Sequence, residues 1–155
     1  MNSASLPHNG DKNNNTPNHR SSGIKNTING PTALVVDDNP DMLRLAEAML
    51  KTFGYEVSTA AEGAQALYQF HGSPSDLVLT DYQMPAINGY QLGRRIKTSN
   101  PETRVVIMTG LSRAAVAGPM RDGHIDGWLF KPFFLKELAV LLSCLGLRRD
   151  AGTEV

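Results

Sequence analysis

The chain has 155 residues, of which 41% are apolar and 6% aromatic, a composition suited to one α/β domain. Its fifteen basic and fifteen acidic residues cancel, so the net field offers no reason to expect direct nucleic-acid binding or an anionic membrane surface. The lone Cys144 excludes an internal disulfide and a multi-thiol metal site, no apolar run approaches the roughly 20 residues of a membrane helix, and no secretory signal pattern opens the sequence, so neither insertion nor export by these routes is expected and the expected location is the cytoplasm.

Residues 1–30 are rich in Asn, Ser, Pro, Gly and Lys and carry too few apolar side chains to offset the entropy of ordering them. They read as a disordered tail, and His8 and His19 within it are too sparse for a metal-binding tract. From Pro31 onward, short β-branched runs alternate with segments of helical period, the pattern of βαβ units around a parallel sheet. Strands are expected over 32–37, 55–60, 76–81, 104–109 and 127–130; the central ones are continuously apolar, as strands covered on both faces are, and 55–60 has the polarity of an edge. Helices are expected near 40–53, 62–71, 89–99, 112–122 and 133–146. Asn39 and Pro40 form a cap and first-turn pair for the first, and Gly54 suits a left-handed position at its end. Gly118 and Pro119 fall inside the fourth, which should therefore be short, bent or mobile. On the fifth, Leu135, Leu138, Ala139, Leu142 and Leu145 make a core stripe, while Phe133, Val140 and Cys144 project to the opposite side as a candidate contact surface. Residues 149–155 read as a short C-terminal tail with no output domain, so the domain proper is 31–148.

Ligands on open parallel sheets collect at the carboxyl ends of the strands. Strand one ends in Asp37 and Asp38, strand three in Asp81 and strand four in Thr109, and strand five runs into Lys131 and Pro132. Singly, each has a plainer reading: a solvated cap, β-propensity, a turn. Together they put three carboxylates, a hydroxyl and an ammonium on one rim, where hard oxygens suit Mg²⁺ or Mn²⁺ and the cation and lysine would offset the charge of the carboxylates and of an incoming phosphoryl group.

The stretches LVVDDNPDM, DLVLTDYQMPAINGY, VVIMTG and LFKPF resemble the four signature segments of bacterial response-regulator receiver domains, over about residues 31 to 147. The resemblance implies a doubly wound, flavodoxin-like sheet of five parallel strands in the order 2-1-3-4-5. It implies Asp81 as phospho-acceptor, Asp38 as direct metal ligand, Asp37 as ligand through water and the Gln83 backbone carbonyl as a further ligand. Lys131 would pair with the phosphoryl oxygens and Thr109 would donate to one of them. In the family the switch hydroxyl moves inward on phosphorylation and an aromatic on strand five follows, remodelling the face of helix four, strand five and helix five. Trp128 stands at that aromatic position, where the family usually has Tyr or Phe, so a larger indole bears on the inward rotation. Gly110 leaves room for a phosphodonor, and Gln83 and Leu111 hold positions that tune dephosphorylation in relatives. The implied partners are a sensor histidine kinase or phosphotransfer protein and a downstream protein target, with a dimer through the helix 4, strand 5, helix 5 face as a further reading. On this view the chain is a stand-alone phospho-acceptor and not an enzyme, serving a chemotaxis motor, a phosphorelay or kinase feedback.

A haloacid-dehalogenase-type phosphatase would need an Asp two residues after the nucleophile, where position 83 is Gln. A flavin or dinucleotide carrier needs a glycine- or hydroxyl-rich phosphate loop after strand one, where the chain has DDNPDM. A non-phosphorylated scaffold on the same fold would have lost an acidic or lysine position, and none is lost.

Overall fold

The computed structural model describes residues 30–147; the tail expected over 1–30, with His8 and His19, lies outside the described residues except for Gly30, and the tail expected over 149–155 lies outside them entirely. The elements run β1 (Thr32–Val36), α1 (Pro40–Thr52), β2 (Glu56–Ala60), α2 (Gly63–Gly72), β3 (Leu77–Asp81), α3 (Gly89–Ser99), β4 (Arg104–Thr109), α4 (Ala117–Arg121), β5 (Gly127–Phe130) and α5 (Leu135–Cys144). All strand pairs are parallel and the order is β2-β1-β3-β4-β5, as expected.

Strand alternation divides the core between two faces. Ala33, Val35, Leu77, Leu79, Val106, Met108 and Leu129 pack with Ala46 and Leu50 of α1 and Leu138 and Leu142 of α5. Leu34, Val36, Val78 and Val105 pack with Ala66 and Phe70 of α2 and Leu92 and Ile96 of α3. Every residue of β3 is buried, its apolar run Leu77–Leu79 leading into buried Thr80 and Asp81 at the site end, whereas β2 alternates and lies at the edge.

Helix α1 begins where the sequence indicates: the Asn39 side chain accepts from the Asp41 N–H at 2.9 Å, and Pro40 takes the first helical position. It ends at Gly54, φ 82°, with the Gly54 N–H on the Lys51 carbonyl and the Tyr55 N–H on the Leu50 carbonyl, a Schellman arrangement. Helix α4 is shorter than the 112–122 expected. Pro119 has no N–H, so it is tolerated only in a first turn, and the helix starts two residues before it. Helix α5 also corrects the expectation. Phe133 lies before the helix and is buried, so its helical projection did not apply; Leu135, at the first helical position, is 43% exposed and leaves the core stripe. Val140 and Cys144 are exposed, as the periodicity indicates.

Candidate functional site

The parallel sheet brings the strand ends to one rim. Asp37 and Asp38 directly follow β1, Asp81 is the last residue of β3, Thr109 is the last of β4, and the Lys131 N–H donates to the Thr109 carbonyl at 2.7 Å where β5 ends. One carboxylate oxygen from each of Asp37, Asp38 and Asp81 lies within 4.8 Å of the others, so the three expected acidic residues do meet. Lys131 meets them too: its Nζ donates to Asp81 Oδ1 at 2.8 Å and to Asp37 Oδ2 at 3.3 Å.

The carboxylates differ in surroundings. Asp37 is buried, and both its oxygens are engaged, Oδ1 by the Asn39 N–H at 2.9 Å and Oδ2 by Lys131. Burial raises its pKa and the Asp81 charge adds to the rise, outweighing the Asn39 N–H and Lys131, which favour the anion. Asp38 is exposed and Asp81 is buried but opens to the rim. Burial alone would lower the Lys131 pKa, but the hydrogen bonds and charges of Asp81 and Asp37 prevail and raise it, so the ammonium stays charged.

Three oxygens from carboxylates, one of them exposed, form a donor set of the hard type that suits Mg²⁺ or a similar divalent ion. Asp38 and Asp81 have the access for direct coordination. Asp37, with both oxygens already bonded, is better placed to act through water.

The loop after Asp81 is held tightly. The Tyr82 N–H donates to the Met108 carbonyl at 2.8 Å, and the Gly89 N–H to the Tyr82 carbonyl at 2.9 Å. A Cβ on Gly89 would stand 2.1 Å from the Asp81 carbonyl oxygen, so only glycine admits this approach and keeps the start of α3 against Asp81. Gln83 lies in this loop with its side chain exposed. Asn88 caps α3 through a reciprocal bond with Gln91.

Thr109 is buried, and its hydroxyl oxygen accepts from the Leu111 N–H at 3.0 Å. The hydroxyl hydrogen remains to be donated. Trp128 is half-buried, neither a core residue nor free on the surface, and its ring lies 6.0 Å from that of Tyr82. Arg113 stacks 4.4 Å over the Phe130 ring beside it. Neither Tyr82 nor Arg113 was singled out from the sequence. Extending the alternation of β3 by one step would have put Tyr82 on the face of Thr80, level with Thr109.

One groove reaches the site at Lys131, and a second lies along the β5 and α5 face. The first, of about 480 Å³, is lined by Met42, Leu45, Met49, Pro132, Phe133 and Phe134, with Lys131 at its edge. The other, of about 430 Å³, runs along β5 and α5, with Arg113, Trp128, Phe130, Lys136, Val140 and Cys144 among its lining. Among the described residues no helix is long and apolar enough to cross a membrane.

The family described as "Response regulator receiver domain" matches residues 33–143. The transcriptional regulatory protein PrrA of Mycobacterium leprae is 33% identical over 126 residues, which are 80% of this chain and 53% of PrrA, so the chain spans about half the length of that relative. The response regulator TrrA from Thermotoga maritima, solved in complex with Mg(2+)-BeF, superposes with a TM-score of 0.67 at 30% identity, over 74% of this chain and 98% of that one. The chemotaxis protein CheY4 of Vibrio cholerae superposes with a TM-score of 0.69 at 25% identity, over 75% and 98% of the two chains.

Proposed function

The chain belongs to the response regulator receiver family of two-component signalling, and on that premise we propose that Asp81 accepts a phosphoryl group from a sensor histidine kinase or phosphotransfer protein, with Mg²⁺ or Mn²⁺ held beside it. The observation that carries this is the meeting of Lys131 with Asp81 at 2.8 Å inside a cluster of three carboxylates. Asp38, Asp81 and the Gln83 carbonyl would contact the cation directly and Asp37 through water. When bound, such an ion neutralises charge on the carboxylates and on the transferred phosphoryl group.

Lys131 occupies Asp81 Oδ1, which leaves the other oxygen to attack. That oxygen forms an O–P bond as the P–N bond of the donor's phosphohistidine breaks, and the freed imidazole nitrogen takes up a proton. Asp81 becomes an acyl phosphate, consumed once per event, so the domain is a phospho-acceptor and not an enzyme acting on a separate substrate. Lys131 and the Thr109 O–H are then the donors nearest the strand ends for the new phosphoryl oxygens.

The phosphodonor must bring its histidine to this rim. The apolar groove of Met42, Leu45 and Phe134 starts at Lys131, with Leu45 46% and Phe134 68% exposed, and suits the apolar face of a donor helix. The groove of Trp128, Phe130 and Val140 is the surface we assign to a downstream protein target or, as a second reading, to dimerisation. Acetyl phosphate with Mg²⁺ should label the protein stoichiometrically, with loss of labelling in a chelator and slower labelling in Asp38→Ala. Equal labelling with and without a divalent cation would contradict the reading.

A further inference from the structure

Asp81 is tied to β5 at two points. Directly, the Lys131 ammonium holds its carboxylate. Indirectly, the next residue, Tyr82, sets its ring against Trp128, with centroids 6.0 Å apart and planes at 46°. Trp128 and Lys131 are three residues apart on one strand and its exit, so the contacts close a circuit: Asp81, Tyr82, Trp128, along β5 to Lys131, and back to Asp81.

The register shows what lies inside that circuit. Asp81 is level with Met108, so Tyr82 is level with Thr109, while Trp128 is level with Ile107. The Tyr82–Trp128 contact therefore crosses β4 diagonally, between the level of Ile107 and that of the switch residue Thr109. The Tyr82 main chain is clamped on both sides, by Met108 and by Gly89, and the crowding of Gly89 on the Asp81 carbonyl keeps this stretch from sliding. The tyrosine ring thus projects from a fixed base, whereas Trp128 lines a groove that is open to solvent.

We propose that Tyr82 is a positioning residue of the switch: its ring holds the Trp128 indole and passes the state of Asp81 to the groove lined by Trp128, Arg113, Phe130 and Val140, in parallel with Thr109. It rests on Asp81 being the phospho-acceptor. An indole seated against Tyr82 does not rotate freely into space vacated by Thr109; it shifts with the Tyr82 ring when Lys131 and the acceptor loop rearrange around the phosphoryl group. The contact is between rings, so the tyrosine hydroxyl is dispensable.

Trp128 is the only tryptophan of the chain, so emission and acrylamide quenching report the surroundings of this one indole, and the Tyr82 variants isolate the part that depends on the ring contact. Wild type, Tyr82→Ala, Tyr82→Phe and Thr109→Ala are each measured with Mg²⁺ and then with Mg²⁺ and beryllofluoride, and phosphate incorporation from acetyl phosphate is measured on the same samples. An aromatic contact of this kind biases a two-state population by about 2–10-fold, so Tyr82→Ala should reduce the beryllofluoride-dependent change in quenching by a factor in that range. Phosphate incorporation should stay within about twofold of wild type, because the main-chain bonds of Tyr82 survive the substitution. Tyr82→Phe should behave as wild type, and Thr109→Ala should retain part of the response. A full response in Tyr82→Ala, loss of response in Tyr82→Phe, or complete loss in Thr109→Ala would each overturn the role of Tyr82. If Tyr82→Ala fails to fold, Tyr82→Leu is read by the same criteria. Absence of phosphate from wild type would instead overturn the assignment of Asp81, while a phosphorylated wild type with an unchanged Trp128 would overturn only the coupling.

Discussion

Lys131 donates to the Asp81 carboxylate at 2.8 Å from the far end of β5, so the residue that would receive the phosphoryl group is already neutralised in part by a neighbouring strand. The same ammonium reaches Asp37 at 3.3 Å. It therefore competes with a divalent cation for the charge of these carboxylates. Lys131→Ala should bind Mg²⁺ more tightly, by about fivefold or more, since removing one positive charge a few ångströms away relieves a repulsion of at least ~1 kcal/mol. It should at the same time accept phosphate more slowly, because the phosphoryl oxygens lose a donor. Mg²⁺ titration followed by Trp128 emission checks the first effect and acetyl phosphate labelling the second; weaker Mg²⁺ binding in the variant would contradict this account of the ion pair.

The groove beside Lys131 separates protein donors from small ones. Leu45→Asp and Phe134→Asp alter exposed positions, so both should fold normally. Each should slow transfer from a phosphorylated histidine protein by about tenfold or more, the cost of a charge placed at an apolar contact. Labelling by acetyl phosphate, which needs no docking, should stay within about twofold. Equal slowing with both donors would remove the groove from donor recognition.

Gly89 is a steric requirement of the loop that follows Asp81. In Gly89→Ala the new methyl would lie 2.1 Å from the Asp81 carbonyl oxygen, and the object it meets is main chain, which cannot swing away as a side chain can. The variant should lose about 1–3 kcal/mol of stability in denaturant unfolding, as overpacked sites do. Its phosphate incorporation should fall as well, because Asp81 itself must move. Unaltered stability and labelling would show that the loop relaxes without cost.

Tyr55 gives the fold an alkaline limit. Its hydroxyl donates to the Leu147 carbonyl at 3.1 Å, and burial, with the Asp76 charge adding to it, pushes its pKa up to about 12. The folded state then holds the phenolic proton to higher pH than the unfolded chain does. Stability should fall as pH rises from the ordinary tyrosine value of about 10 through about 12. In Tyr55→Phe this part of the slope should vanish; an unchanged slope in urea unfolding across that window would assign it to another group.

Most of the fold was legible in the sequence because the signals were local and mutually consistent. The buried runs of β1, β3 and β4, the Asn39-Pro40 cap and Gly54 each act within a few residues. The carboxylate cluster was also legible, since parallel strands must deliver their carboxyl ends to one rim. What was not legible depended on contacts between distant segments or on a shift of a helix start. Helical projection places Phe133 on an outward face only if α5 includes it, and it places Leu135 on the core stripe, where the first helical position leaves it 43% exposed. The start of α4 followed from Pro119 needing a first-turn position, which the sequence indicated only as a defect. The Tyr82–Trp128 contact spans three strands, and no local pattern announces it.

Site-resolved chemistry tests the central claim most directly. After labelling with acetyl phosphate and Mg²⁺, borohydride reduction converts an aspartyl phosphate to homoserine, and mass analysis of the peptides identifies the residue. Asp81 alone should be converted, and Asp81→Asn should yield no acid-labile phosphate, because the amide lacks the nucleophilic oxygen. Homoserine at Asp37 or Asp38 in the wild type, or acid-labile phosphate on Asp81→Asn at the wild-type level, would contradict the assignment.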